Sequence, residues 1–368
     1  MNSMDSTKGK IGLKELVAII ILNVGTKVAD NTPNIFYEAF GTAAWIAILI
    51  IGLISLIPIL LITKLITLYQ DKNLIDIILH LFGKYIGFVL LFILFVLQIL
   101  TNINNSSIYT DIIGTMYFSK TPTVVIYLLL LTVAAYGAKK GVEYIGSSAW
   151  VMVLWISLSL LVILIVVFVQ GNINHIFPIL GTGGWELVKD SYQNSSILMD
   201  FLYLAFIASN VKSATVYKNG VWIGFTIIIL AFVLSLLGYV MLFDYYGVRM
   251  FDYPYHETIR YIEIGFLTNV ELLFFPFWLV SSFIRFAFYL YLGALLFGAV
   301  FKIKNFEYVV PALATFTILA GLIPESSVFS MNDFRVIFLN LITPIFLLFP
   351  CLLWITAKLK GDFKIEKH

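Results

Sequence analysis

About ten apolar stretches, each close to the thickness of a bilayer, alternate with short polar connections along the chain. A spanning helix takes roughly 20 apolar residues, because each adds about 1.5 Å against a hydrocarbon core of about 30 Å. The stretches fall at 11–36, 42–63, 85–107, 122–138, 145–170, 186–210, 220–243, 270–301, 306–323 and 334–357. Runs such as 46–62 and 225–243 are continuously apolar, whereas barrel strands would alternate apolar with polar residues. In lipid only helices or closed barrels satisfy the backbone, so the pattern predicts an all-α integral membrane protein. No connection is long enough for a soluble domain, and residues 1–368 read as a single transmembrane domain. Composition agrees: 61% hydrophobic and 12% charged residues leave too little polar surface for a water-soluble fold of this size.

Two spans are interrupted. The first is apolar to Val24 and then reads Gly25-Thr26-Lys27-Val28-Ala29-Asp30-Asn31-Thr32-Pro33; Gly relaxes the backbone and Pro removes a helical donor. The sixth carries Gln193-Asn194-Ser195-Ser196 and Asp200 ahead of the apolar run 201–208. If ten spans divide into repeats at about 11–170 and 186–357, these are the first spans of each half. Interruptions at corresponding positions point to a midplane site in a five-plus-five inverted-repeat fold with broken first and sixth helices. No residue-by-residue repeat accompanies the hydropathy symmetry. Around 65–82, apolar residues recur every three or four positions about Gln70, Asp71 and Lys72, predicting amphipathic interfacial helices. The segment 244–267 is rich in Tyr and is expected to serve mainly as a headgroup-level aromatic belt, with a short helix after Pro254.

Charge sets the expected orientation. With the N-terminus inside, 16 of the 23 Lys and Arg residues fall on the cytoplasmic side and five outside: Lys120, Lys189, Arg249, Arg260 and Arg335. That bias predicts both termini cytoplasmic. The net charge of +2 comes from dispersed residues, not a basic stripe, so nucleic-acid binding is not indicated. Cys351 is the lone cysteine and the four His are scattered, which offers neither a disulfide framework nor metal-ligand spacing. No nucleophile–base pairing or phosphate loop occurs, so neither an enzyme nor a cofactor is expected. No cleavable signal peptide is expected ahead of the first span.

The candidate chemistry lies inside the spans. Lys27 costs about 2.5–3.5 kcal/mol at a helix centre and must face protein or water. It either acts as a cation beside the interrupted backbone or is structural, snorkelling outward or pairing with Asp30. Asp200 and Glu271 are the candidate acids, Glu271 being the more interfacial. Gln98, Thr101, Asn102 and Asn105 share a face of the third span and either line a cavity, the favoured reading, or join helices. Ser281, Ser282 and Arg285 lie about one turn apart in the eighth span, where Arg285 needs a partner, either an internal salt bridge, the favoured reading, or a substrate. Gly25, Thr26, Lys27, Gln98, Thr101, Asn102, Asn105, Ser195, Ser196, Asp200, Ser281 and Ser282 are the expected ligand-binding set. Free N–H groups near Gly25 and Thr26 would accept a carboxylate, and the sixth span would hold an ammonium.

With these elements in order, the chain resembles the endospore germination permease family, the B subunits of nutrient germinant receptors. The resemblance rests on Lys14-Glu15 opening the first helix, Gly25-Thr26-Lys27 at its break, Tyr253-Pro254-Tyr255-His256-Glu257-Thr258-Ile259-Arg260-Tyr261-Ile262 in the outer segment, and Phe277-Trp278 followed by Ser281-Ser282-Phe283. It departs from many relatives at Thr268-Asn269-Val270-Glu271, where an acidic–Arg pair is expected. The resemblance implies the amino acid–polyamine–organocation transporter fold. It also implies a receptor subunit in the inner membrane of the spore that binds a small nutrient, often an amino acid, and triggers germination with A and C subunits. A proton-coupled amino acid transporter is the competing expectation, and a structural subunit with a vestigial pocket a third.

Overall fold

The computed structural model describes residues 10–70, 72–262, 270–323 and 327–363, with the side chains of 273 and 327–333 excepted. Asp71, Glu263, Thr268, Asn269 and the terminal Lys8, Lys364 and Lys367 lie outside the described residues. The helices are α1 (Leu13–Val24), α2 (Thr32–Phe40), α3 (Ala44–Leu68), α4 (Leu74–Ile112), α5 (Thr123–Lys140), α6 (Val142–Gln170), α7 (Gly184–Gln193), α8 (Asp200–Tyr203), α9 (Ala214–Arg249), α10 (Pro254–Tyr261), α11 (Glu271–Phe301), α12 (Val310–Gly321) and α13 (Ser327–Lys360). Among the described residues, seven helical stretches are long and apolar enough to cross a membrane, and Ser195–Asn210 and Phe306–Gly321 are shorter apolar ones. With α1, these account for the ten predicted crossings.

Both interruptions are real and both are 3-10 turns. α1 and α2 are joined through a 3-10 helix at Gly25–Ala29. The sixth crossing runs α7, a 3-10 turn at Ser195–Leu198, the single α-turn α8, and a 3-10 helix at Leu204–Asn210. Short hydroxyl- and Gly-bearing runs suit such tight turns, which often mark a functional hinge. The two broken crossings are tied at one end by a parallel bridge between Ile11 and Val211, with Ile11 N–H donating to Asn210 O at 2.9 Å and Lys212 N–H to Ile11 O at 3.0 Å. α1 then lies against α9 so closely that a Cβ on Gly224 would meet Ile20 Cγ2 at 2.6 Å. Only glycine allows that approach.

The 65–82 stretch divides. Residues 65–68 complete α3, whereas 74–82 form the first piece of α4, capped by Asn73, whose Oδ1 accepts from Asp76 N–H at 3.0 Å. The chain turns at Gly83, with φ of +71°, a conformation that disfavours any side chain. Leu74, Ile75, Ile77, Ile78 and Leu81 are buried while Asp76 is exposed, so this piece is amphipathic as predicted. At the far end of α13, Asp362 accepts from Tyr69 Oη at 2.5 Å and lies 3.1 Å from His80 Nε2. Lys360 Nζ donates to His80 O at 2.8 Å. Burial would raise the Asp362 carboxyl, but the hydrogen bonds from Tyr69 and His80 outweigh it and hold the group below the usual carboxylate range.

The segment that follows α9 corrects the reading of it as mainly an aromatic belt. Tyr246 and Tyr261 are exposed, but Tyr253, Tyr255, His256 and Ile259 are buried. Tyr253 Oη donates to Asp111 at 2.5 Å, and His256 packs edge-on against Trp278 with Nδ1 2.7 Å from Tyr117 Oη. The Pro254 helix is therefore a plug seated on the bundle. Its aromatic spacing matches that of an interfacial belt, which is why periodicity alone misassigns it. Glu271 pairs with Arg260 at 2.9 Å, with both groups partly exposed.

Candidate functional site

Lys27 projects from the 3-10 turn of the first crossing to the 3-10 turn of the sixth. Its ammonium donates to the Asp200 carboxylate and to the main-chain carbonyl of Ile197, the latter at 2.7 Å. Both side chains are more than nine-tenths buried. This settles the partner that hydropathy left open: it is Asp200, not Asp30. Asp200 also accepts from Tyr289 Oη at 2.7 Å. Tyr289 stands one turn from Arg285, a fully buried residue of α11 whose Nη1 donates to Thr26 Oγ1 at 3.0 Å and to Tyr109 Oη. The guanidinium lies over the Tyr109 ring, 4.9 Å from its centroid, a stacking arrangement that suits a cation out of water.

Asp30 anchors the other half of the network. The chain leaves helical geometry at this residue, with φ of −98° and ψ of −158°, and its Oδ1 accepts from Thr32 N–H at 2.7 Å and Thr32 Oγ1 at 2.6 Å. An anion is thus already seated at the positive end of α2. Arg335 pairs with Asp30 at 3.2 Å and also donates to Asn31 Oδ1 and, at 2.7 Å, to Thr32 Oγ1. Arg285 lies 3.9 Å from the same carboxylate. A guanidinium is the suitable cation here because its planar fork reaches several acceptors at once.

Two expectations change. Gly25 is helical, with φ of −64° and ψ of −34°, and Thr26 Oγ1 donates back to Leu22 O at 2.6 Å. The free N–H groups expected near Gly25 and Thr26 are absent because the chain tightens into 3-10 hydrogen bonding and breaks later, at Asp30. Arg335, counted from hydropathy as an outer-loop charge, is buried at 3% exposure on α13. It lies just inside an apolar run, where a window average cannot tell a loop residue from an inward-facing one.

Beside this network is a cavity of about 40 Å³ lined by Lys27, Asp200, Arg335, Thr101, Asn104, Asn105 and Ser196, with Tyr203, Ile197, Met199, Phe338, Leu339 and Ile342 as walls. Its volume suits a few water molecules. Thr101, Asn104 and Asn105 share one face of α4. Asn104 and Asn105 are 7% and 5% exposed as residues, and their amides have no hydrogen-bond partner among the described residues. Of the expected ligand-binding set, the structure brings Lys27, Thr101, Asn105, Ser196 and Asp200 to this cavity. Gln98 instead donates to Tyr289 O at 2.6 Å, and Asn102 reaches Thr317 Oγ1 at 3.4 Å, so that side of the stripe joins helices. Ser281 and Ser282 donate to the carbonyls of Phe277 and Trp278 on their own helix. Gly25, Thr26 and Ser195 do not line the cavity, although Thr26 supports it through Arg285. Asn104 escaped the sequence reading although it lies three residues after Thr101. A larger hollow on α5, lined by Val125, Leu128, Leu129, Thr132 and Val133, is a shallow apolar groove on the outward face without such chemistry.

Two interrupted helices meeting over a buried, charged cavity in an all-helical membrane protein define the discontinuous-helix class of transporter-like folds. Within it, the chain belongs to the spore permease family of spore germination proteins, whose family model matches residues 13–352. It is 23% identical to spore germination protein KB of Bacillus subtilis (strain 168), covering 95% of each chain. It is 26% identical to putative spore germination protein YfkT of the same organism, over 99% of this chain and 100% of the relative. Spore germination protein XB of Bacillus anthracis is 22% identical over 68% of this chain and 71% of its own. In fold the chain is similar to MhsT, solved in complex with L-phenylalanine, with a TM-score of 0.67, 15% identity, and coverage of 93% of this chain and 90% of that one.

Proposed function

We propose that this chain is the transporter-like membrane subunit of a spore germinant receptor. It binds a small nutrient, an amino acid, between its two broken crossings and acts with A and C subunits in the inner membrane of the spore. Both termini face the cytoplasm, and the role is binding, not catalysis. The observation that carries this reading is the cavity wall itself. The Arg335 guanidinium and the amide N–H groups of Asn104 and Asn105 can take a carboxylate, while the two amide oxygens can take an ammonium. The kinship with spore germination proteins supports the germination role, and the likeness to a protein solved with an amino acid supports the ligand class.

The cavity is too tight for an amino acid, so binding requires α13 and the sixth crossing to separate. A ligand then shifts a two-state equilibrium by as much as it prefers the open form. A screen of single amino acids, sugars and nucleosides against the purified protein, read as melting temperature, tests this. One amino acid should stabilise the wild-type chain in proportion to RT ln(1 + [L]/Kd), and the Asn105→Leu variant should fold but lose that shift. Stabilisation only by sugars or nucleosides, or an unchanged shift in Asn105→Leu, would overturn the assignment. Proteoliposomes decide between receptor and transporter, since concentrative proton-driven uptake by the chain alone marks transport.

A further inference from the structure

The acceptors exposed by the two breaks are the groups that hold a mobile coupling ion in discontinuous-helix proteins, where unwound carbonyls and half-helix ends ligate sodium or a proton. Here those around Lys27 are already claimed by donors tethered to the chain, although Ser195 Oγ in the same turn has no hydrogen-bond partner among the described residues. Ile197 O and the Asp200 carboxylate take the Lys27 ammonium. Thr26 Oγ1 takes Arg285, at 3.0 Å. The main-chain carbonyl of Thr26 accepts from Tyr109 Oη at 3.2 Å, and that of Val28 from Tyr239 Oη at 3.5 Å. Among the described residues no cluster of three or more His, Cys, Asp or Glu side chains could hold a metal ion.

We propose that the Lys27 ammonium is a built-in replacement for a coupling cation. It fills a cation site formed by Asp200 and Ile197 O, clamps the two broken crossings together, and makes the protein independent of sodium and potassium. A primary ammonium fits this role because it is compact, carries a full charge and offers three donors in a tetrahedral spread. A guanidinium would overfill the gap between two 3-10 turns. The inference concerns a cation and not the nutrient, so it stands or falls separately from the ligand assigned above.

The test uses the full-length protein in lipid nanodiscs. At equal ionic strength, the wild-type melting temperature should be the same in sodium, potassium and choline chloride. Lys27→Ala should melt lower, and n-propylammonium, which supplies the missing carbons and charge, should restore at least half of the loss in a saturable manner. Tetramethylammonium, which has no N–H to donate, should restore none. Specific stabilisation of the wild type by sodium or potassium would overturn the proposal. So would rescue of Lys27→Ala by both ammonium ions alike, or by neither. If Lys27→Ala does not fold, the wild-type comparison among salts still decides.

Discussion

Neutralising Asp30 tests the charge network most directly. Asp30→Asn keeps the shape and an oxygen able to accept from Thr32, so the hydrogen bonds at the start of α2 survive and the charge alone is lost. Asp30 is fully buried, 3.2 Å from Arg335 and 3.9 Å from Arg285. Removing one member of a buried ion pair costs about 3–5 kcal/mol, because its partner is left charged out of water. Losing a helix cap costs only about 1 kcal/mol. For a chain of this size about 1 kcal/mol moves the melting temperature by roughly 2 °C. Asp30→Asn should therefore melt roughly 6–10 °C below wild type in nanodiscs. Adding Arg335→Met removes one stranded guanidinium and should win back about 2 kcal/mol or more. A double-mutant cycle reads that recovery as coupling, since independent sites would add. A single variant within about 2 °C of wild type, or strictly additive effects, would show that the pair is screened by water and that the network does not hold the breaks together.

Thr26→Leu deletes the hydroxyl that receives Arg285 and should weaken the nutrient response at normal protein level; an unaltered dose–response curve in spores would count against the coupling of Thr26 to the cavity. Burial pushes the His256 imidazole down to about 3, so it stays neutral at physiological pH. The unfolded chain gains a proton near 6.5 that the folded chain refuses, so stability is complete above that pH and declines as pH falls from about 6.5 toward 3. His256→Gln should flatten the melting-temperature slope between pH 7 and 5; equal slopes would refute it. Gly224→Val drives a branched side chain into Ile20 and should lower the melting temperature, whereas Gly184→Ala, with open space around it, should leave it unchanged.

The span pattern and both interruptions were legible because hydropathy reports burial in lipid directly. Lys27 and Asp200 stood out for the same reason, as charges where the pattern allowed few. Pairing was harder to read. Asp30 is three residues from Lys27 and looked like its natural partner, yet the 3-10 turn sends the two side chains to different neighbours. Arg335 was lost at a span boundary, although the run Arg335-Val336-Ile337-Phe338-Leu339 places it within apolar sequence. Tyr109 and Tyr289 carry no signal in a chain with 20 Tyr residues; only the fold reveals that they connect Arg285 to Thr26 and Asp200. The polar face of α4 was legible as a stripe but not as two stripes, since an angular offset of one residue separates the cavity wall from the helix contact.

α13 holds Arg335 near one end and reaches Asp362, fastened to Tyr69 and His80, at the other. The stretch from Arg335 to Lys360 rises about 40 Å as a helix, so a single rod connects the buried cavity with the opposite surface. Pro344 and Pro350 lie along it and remove rungs of its hydrogen-bond ladder, supplying two joints. A shift of Arg335 away from Asp30 would therefore move a helix whose other end leads into a fastening on Tyr69 and His80.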